Sequence, residues 1–577
     1  LSMITPIVKV NKGKNIHSFY NLTDYDNWQN TTNDYKKYNT KYYKGLGTST
    51  AVEAREYFKS MKKNDYTWTK DSEMSMNLAF KKDLSDKRKE WLYGYNKNNI
   101  VDGSDKNISI EKFVNYELIH FSNSDTLRSI GSICDGLKPS QRKIIYCAFK
   151  RKLYSEIRVA QLAGYVSENA AYHHGEASLQ STIIGLAQNY VGTNNINVLL
   201  PNGQFGTRIM GGHDSASPRY IHTELNPIVD LIYPKSDFDL LTYNDDDGIL
   251  VEPEYYVPII PMVLVNGMKG IGTGFSTTIP QYNPVDIITN IQNKLNKKPY
   301  HIIKPWYNGF TGIIEKVNDD MYITKGKYNI LSKNVLSITE LPIGKWTQNY
   351  KEFLEGLIYD KTKKQKFYIL DYVDHSTDNT VRFEVRVEPE VLINIKCNVE
   401  RHTDTIEDLF KLSSTLSLRN IHLYDSGGTI KRYKNIYEIF DEYYLTRYTL
   451  YVKRKEYQLK CIKYQLDLNS SKMGFIDDVI NDKIVVFRQK KEVIVERLKD
   501  LEYPLNIDKC LDMKYSVEKC KTGYNYLIHI PLYHLGIEKI DELKGDIEKL
   551  QGEYDVLFKK TVEQIWLDEL KLLTDKL

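Results

Sequence analysis

From position 434 to about 482 the chain carries a charged, helix-forming stretch that would extend roughly 70 Å as one α-helix. A rod of that length cannot bury itself in a single compact domain, so it needs a partner along its flank. The end of the chain offers one. Ile540, Leu543, Ile547, Leu550, Tyr554 and Leu557 alternate steps of three and four, the spacing of an a/d seam. An ordinary amphipathic helix is the plainer reading of that seam alone; a long helix paired with a returning one predicts a coiled-coil arm. At 577 residues the chain exceeds what one core holds, and roughly three or four domains are expected.

The remaining pattern divides the chain further. Residues 1–95 alternate short strands and helices. Ile4 to Val10 reads as a strand with no preceding element to pair with, and Lys41 to Thr50 as a strand running into a glycine turn and a helix. Thr50 and Glu53 have capping-box spacing. Residues 96–112 are polar and read as a linker. Residues 113–248 are mostly helical, with one helix opening at Pro139-Ser140 and another carrying Leu179, Ile183, Leu186, Ala187 and Tyr190 on one face. Residues 249–395 alternate β-rich stretches, Tyr255 to Val265 and Val335 to Glu340 among them, with helices such as the one opening at Asn283-Pro284. Residues 396–577 hold the arm. The fold class is α+β and multidomain.

Hydrophobic residues make up 41% of the chain, and no run of about 20 apolar residues exists to cross a membrane. No cationic stretch followed by an apolar one opens the chain, as a secretory leader would. A chain opening on Leu1-Ser2 with an unpaired strand reads as part of something longer. Its six cysteines form no CxxC pair, which favours a reduced intracellular setting over a zinc or disulfide framework. A net charge of +4 implies nothing about nucleic acid, so DNA binding must rest on clusters of basic residues.

Such clusters exist. Lys138, Arg142, Lys143, Lys150, Arg151 and Lys152 crowd around one helix, where backbone N–H groups at its start add phosphate donors. Tyr172-His173-His174-Gly175-Glu176 adds two imidazoles able to move a proton near neutral pH, or to donate to a phosphate. Adjacent histidines seldom share one metal. Asn202 to Arg208, with Gln204 and Arg208 among glycines, reads as a loop that lets backbone approach a ligand. The most informative segment is His213 to Thr223, which sets Arg219 directly before Tyr220 among small residues and Pro218. Phenol ionises near pH 10, leaving roughly 0.1% phenolate at neutrality. A neighbouring guanidinium favours that phenolate and binds charge developing on phosphoryl oxygens. An Arg-Tyr dipeptide alone proves little, and its surroundings carry the argument. Asp245-Asp246-Asp247-Gly248 and Asp374 to Asp378 read as solvated loops rather than metal sites.

Taken in order, these segments resemble the type IIA DNA topoisomerases of eukaryotic type. The resemblance rests on Ile4-Thr-Pro-Ile-Val-Lys-Val10, Tyr42-Tyr-Lys-Gly-Leu-Gly-Thr-Ser-Thr50, Arg88-Lys-Glu-Trp-Leu92 and Phe121-Ser-Asn-Ser-Asp125. It continues through Asp135-Gly-Leu-Lys-Pro139, Gln141-Arg-Lys143, Tyr172 to Glu176, Gly203 to Arg208 and Asp214 to Tyr220. Val251-Glu-Pro-Glu254, Gly270-Ile-Gly-Thr-Gly274, Ile338-Thr-Glu-Leu-Pro342, Tyr524-Asn-Tyr-Leu527 and Leu532 to Leu535 complete it.

The resemblance implies the tail of a Toprim α/β domain over 1–95, a winged-helix domain over 113–248, a β-rich tower over 249–395, and a coiled-coil exit gate over 396–577. It implies Tyr220 as the nucleophile that takes a 5′-phosphate, with Arg219, Arg142, His173 and His174 in the catalytic set. Lys44, Lys138, Lys143, Lys150, Gln204, Arg208 and Ile271 fall to DNA, Ile271 as a wedge between base pairs. The implied partners are double-stranded DNA, a second copy in a homodimer, and an ATPase/Toprim portion carried by the same polypeptide or by a separate one. The family's metal-binding acidic residues are not matched, so Mg2+ ligands are expected upstream of Leu1, with none in this chain, and ATP in the intact enzyme only. The implied location is the nucleus or, for a viral enzyme, the site of viral DNA replication. His213 departs from the family's usual Lys. The competing reading is a non-catalytic dimeric clamp that only bends DNA.

Overall fold

The computed structural model describes residues 2–577 apart from 14, 44–45, 102–106, 247, 360–366, 394, 399–400 and 508–521. Near the start, Val8–Lys12 lies between Asn15–Phe19 and Asn39–Tyr42, antiparallel to both. The first strand therefore pairs with segments that follow it. Val8 and Val10 alternate inward onto Tyr25, as a half-buried strand requires. The expected capping box opens helix Ala51–Ser60. A second sheet joins Ser2–Met3, Lys63–Thr67 and Asn107–Ser109. Its last strand falls inside the expected linker, because Ile108 is fully buried there.

Helices Ile119–Ser129, Pro139–Arg151, Val159–Asn169 and Glu176–Ala187 follow. Pro139 stands in the first turn, where its missing N–H leaves nothing unsatisfied. Ile144, Ile145, Leu162, Leu179 and Ile183 form the centre of the largest core. Tyr255 to Val265 departs from the β-rich expectation: it is irregular up to Pro261 and then forms the short helix Met262–Val265. Pro258 and Pro261 remove ladder donors, and a run buried on all sides carries no periodicity to separate strand from coil.

Two larger sheets stand out among the described residues of the β-rich part. One runs Ile313–Asn318, Met321–Lys325, Ser413–Ser417; the other runs Lys327–Ser332, Val335–Glu340, Phe383–Arg386, Asp371–Asp374. Because the first takes its third strand from Ser413–Ser417, and Ile406, Phe410 and Leu412 fill the core of the second, this unit reaches past the expected boundary at 395.

The long helix spans Ile436–Ile480, and its Asn435 side chain accepts from the amides of Tyr437 and Glu438. Helix Ile537–Lys559 returns along it. Ile540 and Leu543 pack with Phe475 and Ile476 at one end, while Lys455 donates to the carbonyls of Phe558 (3.0 Å) and Lys560 (2.6 Å) at the other. The pair is antiparallel within one chain. The seam thus packs against the chain's own long helix, as the expected coiled-coil arm requires.

Helix Val562–Thr574 then locks the base of the arm. Trp566 is fully buried, stacks on Tyr444 and donates to the carbonyl of Ile259 at 3.0 Å. Beside it, Asp237 receives Arg447 at 2.5 Å and Arg454 at 3.2 Å, and Glu569 receives Arg454 at 2.5 Å. Two cations meet two anions, so the buried group is neutral. Burial opposes the charge of Arg447 most strongly, but Asp237 together with Tyr451, Glu569 and Tyr443 outweighs it and holds the guanidinium well above its usual range. Removing one partner of such a group leaves a buried charge unmatched. Asp237→Ala should therefore cost about 3–5 kcal/mol and free the terminal helix. Lowered denaturant resistance together with faster proteolysis between 560 and 577 would show it; a variant as resistant as wild type would contradict it.

Candidate active site

Tyr220 is 75% exposed, and the loop that carries it is held from beneath. Helix Val159–Asn169 begins with free amides, as every helix does. The Val159 N–H donates to the carbonyl of Ile221 (3.1 Å) and the Ala160 N–H to that of Pro218 (3.0 Å). The flanking pairs Ile157 with Thr223 and Arg158 with His222 continue the anchor as a short antiparallel ladder. Ile221 is buried, so the backbone is pinned while Arg219 and Tyr220 face outward. The guanidinium of Arg219 has no ion-pair or hydrogen-bond partner among the described residues.

The glycines before this loop serve a different purpose from the one expected. A Cβ on Gly206 would lie 2.5 Å from Gly212 Cα, one on Gly211 2.3 Å from the Trp346 indole, and one on Gly212 2.4 Å from Gln188. All three have positive φ. They let the loop close on the protein itself, not on a ligand. Asp214 completes the closure by accepting from the Thr207 amide at 2.9 Å.

The basic residues separate into two groups. Arg142 is 7% exposed and grips Asp135 with both arms, Nε at 2.7 Å and Nη2 at 3.1 Å. Asp135 also accepts from the amides of Leu137 and Tyr256. Burial opposes the Arg142 charge most strongly, but the charge and hydrogen bonds of Asp135, with Glu252 nearby, together raise its pKa. Arg208 is 4% exposed and pairs with buried Glu340, which also receives Thr311. Both arginines are therefore tied to interior carboxylates rather than turned to solvent. Motif reading missed Asp135, Asp214 and Glu340, although each stands inside a segment quoted for the family resemblance.

The second group faces solvent. Arg128, Ser140, Lys143, His173, His174 and Glu252 help line an open pocket of about 600 Å³. Lys143 reaches Glu252 at 2.8 Å and the Ala170 carbonyl at 2.6 Å. His173 meets Asp246 at 3.2 Å, so the acidic turn read as a solvated loop closes over the histidines. Lys138 donates to the carbonyl of Lys269 at 2.9 Å, and burial lowers its pKa. Lys150 and Gln204 are exposed. Lys44 lies outside the described residues. The Tyr220 loop sits on the first turn of Val159–Asn169 and the His pair follows its last, so one helix length, roughly 16 Å, separates them along the axis.

Ile271 stands at the tip of hairpin Met268–Ile271/Ser276–Ile279 and is 77% exposed. Its neighbours explain why. A Cβ on Gly270 would lie 2.1 Å from the Ser129 carbonyl oxygen, and one on Gly272 2.8 Å from Thr126 Cα. Thr273 donates to Asp125 from its amide (3.0 Å) and hydroxyl (2.9 Å). The glycine face is pressed onto helix Ile119–Ser129, which leaves Ile271 pointing away.

The chain has counterparts among known proteins. Residues 128–571 match the family model of the A subunit of DNA gyrase/topoisomerase IV, and residues 3–126 match that of the C-terminal associated domain of TOPRIM. The chain belongs to the type II DNA topoisomerases. It is 40% identical to DNA topoisomerase 2 of Plasmodium falciparum over 592 residues, covering 98% of this chain and 42% of that protein. It is 43% identical to DNA topoisomerase 2 of Candida albicans, covering 100% of this chain and 43% of that one. The chain thus spans about two fifths of the length of the curated relatives it matches. The crystal structure of the Plasmodium falciparum topoisomerase II DNA-binding, cleavage and re-ligation domain superposes with a TM-score of 0.79 at 40% identity, covering 99% of this chain and 79% of that one. This topoisomerase core has the eukaryotic-type architecture that the motifs led us to expect.

The hairpin gives a test. Ile271→Ala should change stability by no more than about 0.5 kcal/mol, as for an exposed side chain, while reducing the bend of a short bound duplex read by end-to-end fluorescence transfer. Gly270→Ala should destabilise by about 1–3 kcal/mol through overpacking. The reverse ranking in thermal melts would make Ile271 a core residue.

Proposed function

We propose that this chain is the strand-cleaving and re-joining core of a type II topoisomerase, with Tyr220 as its nucleophile. The observation that carries the reading is an exposed tyrosine beside an unpaired arginine on a loop anchored to a helix start. The Tyr220 oxygen attacks a backbone phosphorus and gives up its proton. The bond from phosphorus to the 3′-oxygen breaks, that oxygen takes a proton, and a 5′-phosphotyrosyl bond remains. Arg219 balances charge on the phosphoryl oxygens. One phosphodiester bond is exchanged for another, so resealing by reversal needs no nucleotide hydrolysis; ATP belongs to strand passage in the whole enzyme.

Arg142 acts at one remove in this reading. By fastening Asp135 it sets the start of Pro139–Arg151, from which Lys138 and Ser140 face the duplex. Lys143, Lys150, Gln204, His173 and His174 contact backbone, Lys44 joins them on motif grounds, and Ile271 wedges the bent duplex. Among the described residues no three His, Cys, Asp or Glu side chains gather as a metal-ligand set. The residues present do not fit the Mg2+ that the family implies, so no step is routed through it.

A homodimer fits the arm once the seam is accounted for. Leu532, Tyr533 and Ile537 are 62%, 81% and 68% exposed near its tip, which leaves them to meet a second copy. The Plasmodium falciparum and Candida albicans relatives are eukaryotic, and we place the enzyme in the nucleus.

Tyr220→Phe in the intact enzyme should abolish protein–DNA adducts on denaturing gels and leave DNA affinity within a few-fold of wild type. An adduct surviving in that variant would remove Tyr220 as nucleophile, and a wild type without adducts would favour the bending clamp. Leu532→Glu with Tyr533→Ser should shift sedimentation of the chain from dimer toward monomer without lowering its melting temperature. An undiminished dimer would place the interface elsewhere.

A further inference from the structure

Helix Thr347–Leu357 opens beside a pocket of about 250 Å³ whose lining does not include Tyr220. Its walls are Trp346, Tyr350 and Phe353, and its charged groups are Lys345 and Lys411; among the described residues no carboxylate lines it. Lys345 is anchored by donating to the carbonyl oxygens of Lys411 and Ser413. The Lys411 ammonium lies 4.4 Å from the Phe353 ring centre and has no anionic partner among the described residues. The Tyr350 hydroxyl is already used, donating to Phe410 at 2.8 Å. Three rings and two cations without a counter-anion form a half-built recognition site.

We propose that this pocket binds a small planar aromatic carboxylate, its ring among Trp346, Tyr350 and Phe353 and its carboxylate between Lys345 and Lys411. Charge complementarity selects the anion, and the aromatic walls select the ring. The volume lies below the range of about 300–1,000 Å³ usual for drug-sized ligands, which limits the occupant to one or two rings. Trp346 is shared with the loop ahead of Tyr220: Gly211 packs on its indole, and the first amides of the helix hold the carbonyls of Arg208 and Ile209. An occupant therefore presses on a side chain that the loop rests against.

The titratable groups around Lys345 are Lys411 and Tyr350. Burial and then the nearby Lys411 charge bring the Lys345 pKa down to about 8, while burial raises that of Tyr350, which stays neutral. A bound carboxylate opposes both effects on Lys345, so binding should favour its protonated form. Affinity should weaken about tenfold between pH 7 and pH 9 as that form is lost.

Equilibrium dialysis of 2-naphthoate against the full chain, without DNA, tests the site independently of the cleavage reading. We expect saturable binding that 2-naphthamide does not reproduce. Lys411→Gln should weaken it at least threefold and Lys345→Met should weaken it further. Because Lys345 also ties two carbonyls, the exposed Lys411 variant keeps the test valid should Lys345→Met fold poorly. Bound naphthoate should slow amide exchange at Gly211 and Gly212. Absence of saturable binding at millimolar ligand, equal binding of the amide, an affinity unchanged from pH 7 to pH 9, or unaltered exchange at those glycines would each overturn the proposal.

Discussion

Asp237 is where the architecture converges. It lies in the short 3-10 helix Lys235–Leu240, yet it receives one guanidinium from each of two places on the long helix, and Glu569 of the last helix completes the charge balance. Among the described residues Arg447 Nε and Nη2 have no hydrogen-bond partner. The Tyr451 ring, 4.0 Å from the guanidinium carbon, faces that cation instead. A buried group of this kind contributes little net stability relative to apolar packing, yet any mismatch is costly. Its effect is directional: it sets where a helix of 45 residues leaves the body, and hence where the tip of the arm falls.

The same economy governs the candidate site. Helix starts carry unsatisfied N–H groups, and this protein uses two of them to hold loops. Val159–Asn169 pins the Tyr220 loop, and Thr347–Leu357 pins the glycine loop at Arg208 and Ile209. Each anchor is made by backbone alone, and at the first loop this leaves the Arg219 and Tyr220 side chains facing outward. Interior ion pairs do the complementary work. Arg142 with Asp135, and Arg208 with Glu340, fasten elements together and leave Arg219 as the arginine beside the tyrosine with no protein anion among the described residues to satisfy it. A phosphate would meet a charge that the fold has left unpaired.

Much of this is legible without the structure. The capping box at Thr50, the Pro139 helix start, the Asn283 cap and the long helix all arise from local backbone chemistry, and each appears where expected. So does the prominence of Tyr220 and Ile271, because small residues and glycines around a large side chain leave it little to pack against. The apolar run from Tyr255 escapes such a reading because full burial erases periodicity, and Asn107–Ser109 escapes it because a three-residue strand is defined by its neighbour rather than by itself.

What the sequence determined by itself was the set of local instructions: where helices begin, which faces are apolar, and which motif carries the tyrosine. Only the tertiary structure decided which charges are neutralised inside. Arg142, Arg208 and Arg219 are the same residue type in equally suggestive motifs, yet two find buried carboxylates and one, among the described residues, finds none. Arg208 and Glu340 stand 132 positions apart, so their pairing is a matter of three-dimensional proximity that no local pattern encodes. Desolvation makes such a pairing all but obligatory once the groups are buried.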